Sequence, residues 1–405
     1  MLGLAQFRSA LREDKRVWPL LLMVCCTMFG AGLVVPVLSL YAASFGVSAT
    51  LVGMLVTIFG IGRIVANFPS GWLSQRMGRR PLLVAGPALV AVGAVGAAIT
   101  TDFTWLLFWR FVQGVGSGMY QTVSLAALAD ISSPQTRGRL VGLYHAAIQF
   151  GASIGPFIGG TVASAFGLAA PFWVLLGISL VTCALAITTF RDKEARVTSS
   201  MSGALGARRR GLLSAPFMAI SLVSSVVFFT RTACMFQLLP LIGNETFGLG
   251  VAAIGVGITV IAFAMLIVLP VSGVVVEKFG SRLMVIASML GMIVGIGLVL
   301  MGTHPFYFWL SMLIYGLAGG LNSASMGTFS IEVLPRHKYG EGMGLQRTIS
   351  DIGYVLGPVF AGLVADLSGY GNAGGIAATL ALCAVATIVF VFASAGAGAP
   401  VKPAR

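Results

Sequence analysis

Five charged side chains stand inside long apolar stretches, and their types and spacing point to chemistry. Arg63, Arg110, Arg231 and Arg347 are bases, and Asp351 is the only acid well inside such a stretch. Placing one such charge at mid-bilayer costs roughly 2.5–3.5 kcal/mol even on lenient scales, so each is a candidate for function. Arg347 and Asp351 are four residues apart, which puts them on one face of a helix. The base lies nearer the helix N-terminus, the poorer order for the helix dipole, so helix stability alone does not select the pair. Desolvation favours the neutral acid and a neighbouring guanidinium favours the anion, so this carboxylate can change protonation state as water access changes. Asp351 is therefore read as a proton-coupling carboxylate partnered by Arg347. A static buried ion pair is the rival reading.

The elements that must hold these charges belong to a membrane. Of the 405 residues, 57% are apolar and 9% charged, and the mean hydropathy is +0.97. A soluble domain carries about 25% charged residues, so this chain cannot coat a water-soluble enzyme of its size. The net charge of +13 does not indicate nucleic acid, because the bases lie in short runs between apolar stretches and make no face that tracks phosphates. Cys25, Cys26, Cys183, Cys234 and Cys383 all sit in apolar stretches without metal spacing. His145, His304 and His337 are scattered and make no metal set. No phosphate-binding G-x-x-x-x-G-K-[ST] loop is present, and no cofactor or metal is expected. The basic start of the chain does not read as a secretory signal, since the apolar run after it is too long.

Breaks at charged, Gly/Pro and polar clusters give twelve candidate spans, each near the ~20 residues a bilayer requires. They are residues 17–43, 50–74, 81–100, 105–129, 140–165, 171–190, 214–240, 250–276, 283–302, 306–331, 342–365 and 373–394. Apart from the four in-span arginines, every Lys and Arg falls in a tail or in a loop after an even-numbered span. That asymmetry places both termini in the cytoplasm, with a bacterial inner membrane as the expected location.

The sequence also repeats at an offset of 202 residues. Phe45-Gly46 returns as Phe247-Gly248, Gly71 and Gly78 as Gly273 and Gly280, and Gly114 and Gly118 as Gly316 and Gly320. Asp130 returns as Glu332, Gly138 as Gly340, and Gly155-Pro156 as Gly357-Pro358. Two parallel halves are expected, residues 1–190 and 214–405, joined by a polar, basic linker at 191–213. Such repeats are an architecture of transporters.

Five motifs in order make the chain resemble the major facilitator superfamily, over essentially its whole length. GWLSQRMGRR, with Gly71, Gln75, Arg76, Gly78, Arg79 and Arg80, resembles the family's loop between spans 2 and 3. Glu277, Lys278 and Gly280 form its second-half counterpart. RFVQGVG from Arg110 and DISSPQTRGR from Asp130, which includes Arg137, follow in span 4 and at its end. Span 5 carries Gly142, Gly151, Gly155, Pro156, Gly159 and Gly160, resembling the signature of the drug/proton antiporter branch; span 11 repeats it with Gly353, Gly357 and Pro358. Two departures stand out. Gln75 replaces the acid of the first loop, and span 1 lacks the embedded acid of many drug exporters.

The resemblance implies an all-α membrane protein of twelve transmembrane helices in two pseudo-twofold-related six-helix bundles around a midplane cavity. It implies alternating access, with Gly71, Gln75, Arg76, Gly78, Arg79, Arg80, Asp130, Arg137, Glu277, Lys278, Gly280 and Glu332 as gating candidates. It also implies that Arg63 can face Asp351 across the halves, and it gives Arg110 a structural or proton-transfer role. Candidates to line the cavity are Arg231, Tyr120, Gln121, Phe228, Gln237, Tyr315 and Asn322. Four arginines against one aspartate leave a formal +3, a balance that prefers an anionic or zwitterionic substrate. The function expected is proton-coupled export of a small organic compound by a monomer in the lipid bilayer. The rivals are uptake or exchange of an organic anion, and a transporter-like lipid mover or sensor.

Overall fold

The computed structural model describes residues 14–132, 137–190, 214–334, 339–369 and 371–395, and among these the chain is helical without strands. The expected linker, 191–213, lies outside the described residues. In chain order the helices are α1 Val17–Ala43, α2 Ala49–Met77, α3 Arg79–Ile99, α4 Phe103–Ile131, α5 Arg137–Phe166 and α6 Ala170–Thr189. They continue as α7 Ala215–Glu245, α8 Val251–Phe279, α9 Ser281–Leu300, α10 Pro305–Val333, α11 Tyr339–Leu367 and α12 Asn372–Ala393. Helix α7 departs from the expected uniform span. It is α-helical to Thr230, π-helical over Arg231–Leu238, and α-helical again from Leu239.

The ends of these helices follow from local chemistry. Asp102 caps α4, its carboxylate accepting from the Thr104 and Trp105 N–H groups at 2.7 and 3.3 Å. Those two bonds favour the anion and hold this exposed carboxyl below the usual carboxylate range. At the start of α1, Arg16 beside Asp14 lowers the Asp14 carboxyl in the same sense. Pro305 opens α10, where a proline's missing N–H costs nothing, and His304 Nδ1 accepts from the Phe306 N–H at 3.2 Å. Tight turns separate α2 from α3 and α8 from α9. Gly78 and Gly280 stand there at φ of 90° and 86°, a conformation that strains any side chain.

Among the described residues ten helices are long and apolar enough to cross a bilayer. Helices α4 and α10 have 29 residues each, ample length, but carry runs of Gly, Ser, Thr, Gln and Asn that lower their hydropathy. Large apolar side chains lie open on the helix surfaces, among them Trp72, Phe150, Phe166, Ile267, Leu367 and Phe392. A water-soluble protein does not carry this much exposed apolar surface. The chain is a multi-pass membrane protein.

The chain divides into two compact units. One gathers residues 14–45 and 58–190, and the other 46–57 with 214–395, so the division falls within α2, between Thr57 and Ile58. The first unit's apolar core joins Val17, Leu20, Met23 and Val24 of α1 to Leu82 and Leu83 of α3, Tyr120 and Val123 of α4, and Leu140 and Tyr144 of α5. The offset of 202 reappears in the backbone. Helices α2 and α8, and α4 and α10, match at both ends under it, as do the positive-φ glycines 46/248, 78/280 and 167/369.

Candidate functional site

In the first unit two cations, Arg63 half-buried and Arg110 buried, are solvated by amides. Helix α4 lies close on α2 because Gly114 and Gly118 leave no room for a side chain: a methyl group at Gly118 would come within 2.6 Å of the Arg63 carbonyl. That closeness lets Arg63 Nη2 donate to Gln121 Oε1 at 2.5 Å. Arg110, only 6% exposed, donates from Nη1 to Gln113 Oε1 at 2.7 Å. Its guanidinium carbon stands 4.5 Å over the Phe59 ring, a cation–π contact. Amide oxygens and ring faces are groups that solvate a cation. Gln113, one turn from Arg110, is a partner that sequence reasoning missed. An amide at i+3 of a buried arginine is the signal that points to it.

The second unit holds the acid. Arg347 Nε and Asp351 Oδ1 are 3.3 Å apart on α11, and the Arg347 guanidinium carbon lies 5.2 Å from the Phe228 ring of α7. The Arg347 side chain is 56% exposed and that of Asp351 27%. The carboxylate therefore remains open to water or to another partner. Helix α11 seats on α7 through the repeated glycines, since a methyl at Gly353 would overlap the Ser225 carbonyl and one at Gly357 would come within 2.6 Å of that of Phe229. Thr232 Oγ1 donates to the Tyr354 carbonyl at 3.1 Å, and the Ser224 and Ser350 hydroxyls meet at 2.5 Å. In the first unit Gly151, Gly155 and Gly159 of α5 press on the Cys25, Phe29 and Leu33 carbonyls of α1 in the same manner. The glycines thus set close packing within each unit.

Arg231 begins the π-helical stretch of α7 and, among the described residues, has no hydrogen-bond or ion-pair partner. It lies within electrostatic reach of the Tyr315 phenol on α10. Six residues past the π-helix start, Gln237 is fully buried and donates from Nε2 to the Ala49 carbonyl at 2.7 Å. Its Oε1 has no partner. Tyr120 is packed in the first unit's apolar core, and Asn322 donates to Ser288 Oγ at 2.9 Å. Tyr315 and Asn322 are both nearly fully buried.

Sequence reasoning passed over Asp366, which lies just beyond the expected end of its span. Its carboxylate accepts from the Ala49 and Thr50 N–H groups at 3.0 and 2.9 Å and from the Thr50 hydroxyl at 2.5 Å. With Gln237 on the Ala49 carbonyl and the Thr57 hydroxyl donating to the Val355 carbonyl at 2.5 Å, the first turns of α2 are held by side chains of the second unit's own helices. Gly53 and Gly362 permit the approach, because methyl groups there would overlap the Pro358 and Ala49 carbonyls.

The loop charges pair within their units, and the pairing repeats. Arg79 Nε is 2.8 Å from Asp130 Oδ2, and Nη1 donates to Ser74 Oγ at 2.5 Å. At the corresponding positions 202 residues on, the Ser281 hydroxyl donates to Glu332. Arg282 donates to Ser394 Oγ at 2.9 Å and to the Val391 carbonyl at 3.0 Å, capping the end of α12. Arg76 lies 4.0 Å over the Trp72 ring and Lys278 5.3 Å from that of Phe279. Gln75 and Glu277 are exposed. The side chain of Arg137 lies outside the described residues.

Two repeated sets of long apolar helices, with arginines and one carboxylate held at mid-length, define a polytopic membrane protein built to move solutes rather than to catalyse. The chain belongs to the Major Facilitator Superfamily, whose profile matches residues 20–268 and 244–405; it is a transporter and not an enzyme. It is 25% identical over 368 residues to an uncharacterized MFS-type transporter of Methanocaldococcus jannaschii, covering 89% of this chain and 93% of that one. It is 24% identical over 373 residues to Multidrug resistance protein 2 of Bacillus subtilis, covering 89% and 92%. The solved structure of the nucleoside transporter NupG superposes with a TM-score of 0.76 at 14% identity, covering 94% of this chain and 99% of that chain. That likeness carries the fold and not the substrate.

Proposed function

We propose that this protein exports a small organic compound in exchange for protons, by alternating access of twelve crossings arranged as two six-helix bundles. Helices α4 and α10 are the two crossings whose polarity hides them from hydropathy, and a crossing exposed to a solute path rather than to lipid carries such polarity. The observation that carries the coupling is the Arg347–Asp351 pair, 3.3 Å apart with the carboxylate 27% exposed. When the site opens to the acidic side, Asp351 takes a proton and releases Arg347. When it opens to the cytoplasm, the proton leaves and the pair re-forms. Arg63 and Arg110 contribute to proton coupling, while Arg231, Gln121, Phe228, Gln237, Tyr120, Tyr315 and Asn322 contribute to substrate binding. The loop residues around Arg79–Asp130 and Ser281–Glu332 gate the cytoplasmic side. The protein acts as a monomer in a bacterial inner membrane, with both termini in the cytoplasm.

The test is substrate efflux from proteoliposomes under an imposed pH gradient, with Asp351→Asn as the variant. Flux in wild type that follows the gradient, with its pH dependence lost in D351N, supports the reading. Full pH dependence in D351N defeats it. A second reading, uptake or exchange of an organic anion, draws on the surplus of in-span arginines, and flux in the opposite sense in the same vesicles identifies it.

A further inference from the structure

Helix α7 breaks the repeat that governs the rest of the chain, and the break lies beside its uncompensated charge. Gly151 of α5 abuts the Cys25 carbonyl of α1, and Gly353 of α11 abuts the Ser225 carbonyl of α7. Gly155 meets the Phe29 carbonyl and Gly357 that of Phe229. The glycines are 202 residues apart, but the carbonyls are 200 apart. At the other end, Phe45-Gly46 and Phe247-Gly248 have returned to 202. Two residues have therefore been added to α7 between Phe229 and Phe247, relative to α1. The π-helix Arg231–Leu238 is where they are accommodated, because each i→i+5 ring holds one residue more than an α turn.

Arg231 is the first residue of that π-helix. Fifteen or so residues precede it and follow it in the 31-residue helix, so about 20 Å of helix separates it from either end. That is farther than an arginine side chain extends, and neither the bilayer surface nor its headgroups are within reach. The other in-span cations have oxygen partners: Gln121 for Arg63, Gln113 for Arg110, Asp351 for Arg347. Among the described residues Arg231 has none, and it is not fully buried. Phe228 stands three residues before it on α7, its ring 5.2 Å from the Arg347 guanidinium, and the Tyr315 phenol lies within electrostatic reach of Arg231.

We infer that Arg231 is the recognition point for the carboxylate of an aromatic organic acid, and that the π insertion exists to present it. This rests on the transporter reading above and adds the substrate class. A guanidinium offers two parallel N–H donors to a carboxylate, and the ligand's charge cancels one that the protein leaves open. The ring of the ligand packs against the aromatic side chains on either side. Neutral and cationic compounds of the same shape lack the ion pair.

The purified full chain in phosphatidylcholine nanodiscs tests this by calorimetric titration with 4-biphenylcarboxylate and 4-biphenylcarboxamide. Wild type is expected to bind the carboxylate about tenfold to a hundredfold more tightly, the range of a charged hydrogen bond. Arg231→Gln should remove the preference of carboxylate over carboxamide, and Arg231→Lys should retain part of it. Equal affinities in wild type, binding of neither compound, or a preference that survives R231Q each overturn the inference. The wild-type comparison stands without any variant having to fold. Proton-driven flux that depends on Asp351 without a carboxylate preference removes this inference and leaves the transport reading intact. The preference without gradient-driven flux does the reverse.

Discussion

Replacing Asp366 by Asn should loosen the first turns of α2 and leave the rest of the second unit unchanged. The carboxylate receives three donors, the Ala49 and Thr50 amides and the Thr50 hydroxyl, at 3.0, 2.9 and 2.5 Å. Asn keeps the shape but has one acceptor oxygen, and its NH2 group faces N–H donors that it cannot receive. A hydrogen bond to a charged group contributes roughly 1.5–3 kcal/mol when sheltered. This site is exposed, so solvent screening reduces the loss to about 1–2 kcal/mol. The charge also favours the helix N-terminus, and that contribution goes with it. At about 1.4 kcal/mol per factor of ten, the opening equilibrium of this segment should rise about fivefold to thirtyfold. Amide hydrogen exchange resolved by residue in nanodiscs reads this directly: residues 49–57 should exchange faster by that factor in D366N, while α10 and α12 keep wild-type protection. Unchanged protection at 49–57 would refute the reasoning. So would acceleration spread evenly over the second unit, since the carboxylate would then support the whole fold and not this contact.

Gly155→Ala and Gly353→Ala should each lower thermal stability by roughly 1–3 kcal/mol, because the added methyl meets backbone that cannot turn aside. Gly273→Ala, with open space at its Cβ position, is the control and should leave the unfolding midpoint in place or raise it. Arg79→Gln, which breaks a half-exposed pair with Asp130, should cost at most about 1 kcal/mol by the same measurement. The Asp102 cap carries a pH signature. Its carboxyl is held below its usual range in the folded chain, so the stabilisation is present above that range and fades as pH falls through the lowered value. Asp102→Asn should flatten the acid limb of the unfolding midpoint, and an unchanged limb would show that the cap does not contribute.

Legibility of the fold in the sequence followed the physics of each signal. Length and hydropathy mark a helix that faces lipid, so the ends of α1, α3 and α12 were readable, whereas the hydropathy of α4 and α10 falls short because Gly, Ser, Thr, Gln and Asn dilute their apolar residues. Pairing between residues four apart, as in Arg347–Asp351, is visible because helix geometry alone brings them together. Partners from different helices, such as Gln121 for Arg63, depend on how closely two backbones approach. Sequence shows the glycines that permit the approach but not which side chains then meet. Asp366 escaped notice because an acid at a helix end reads as an ordinary boundary residue, and only the fold brings the start of α2 to it.

The break in the repeat was hidden for a different reason. Every residue pair that made the offset of 202 detectable lies outside the first turns of α1 and α7, where the apolar residues differ and carry no shared marks. A two-residue insertion between Phe229 and Phe247, in the later half of α7, leaves composition and hydropathy nearly unchanged. It becomes measurable only when the glycines of α5 and α11 are used as rulers against the carbonyls they touch. A π-helix forgoes the better-aligned bonds of an α-helix, so a stretch of eight such residues in an otherwise regular crossing needs a compensating gain. Removing the two residues should restore an unbroken α-helix and rotate Gln237 away from the Ala49 carbonyl. A shortened α7 that still holds Gln237 on Ala49, seen as unchanged exchange protection of residues 49–57, would show that the insertion is not what aims it.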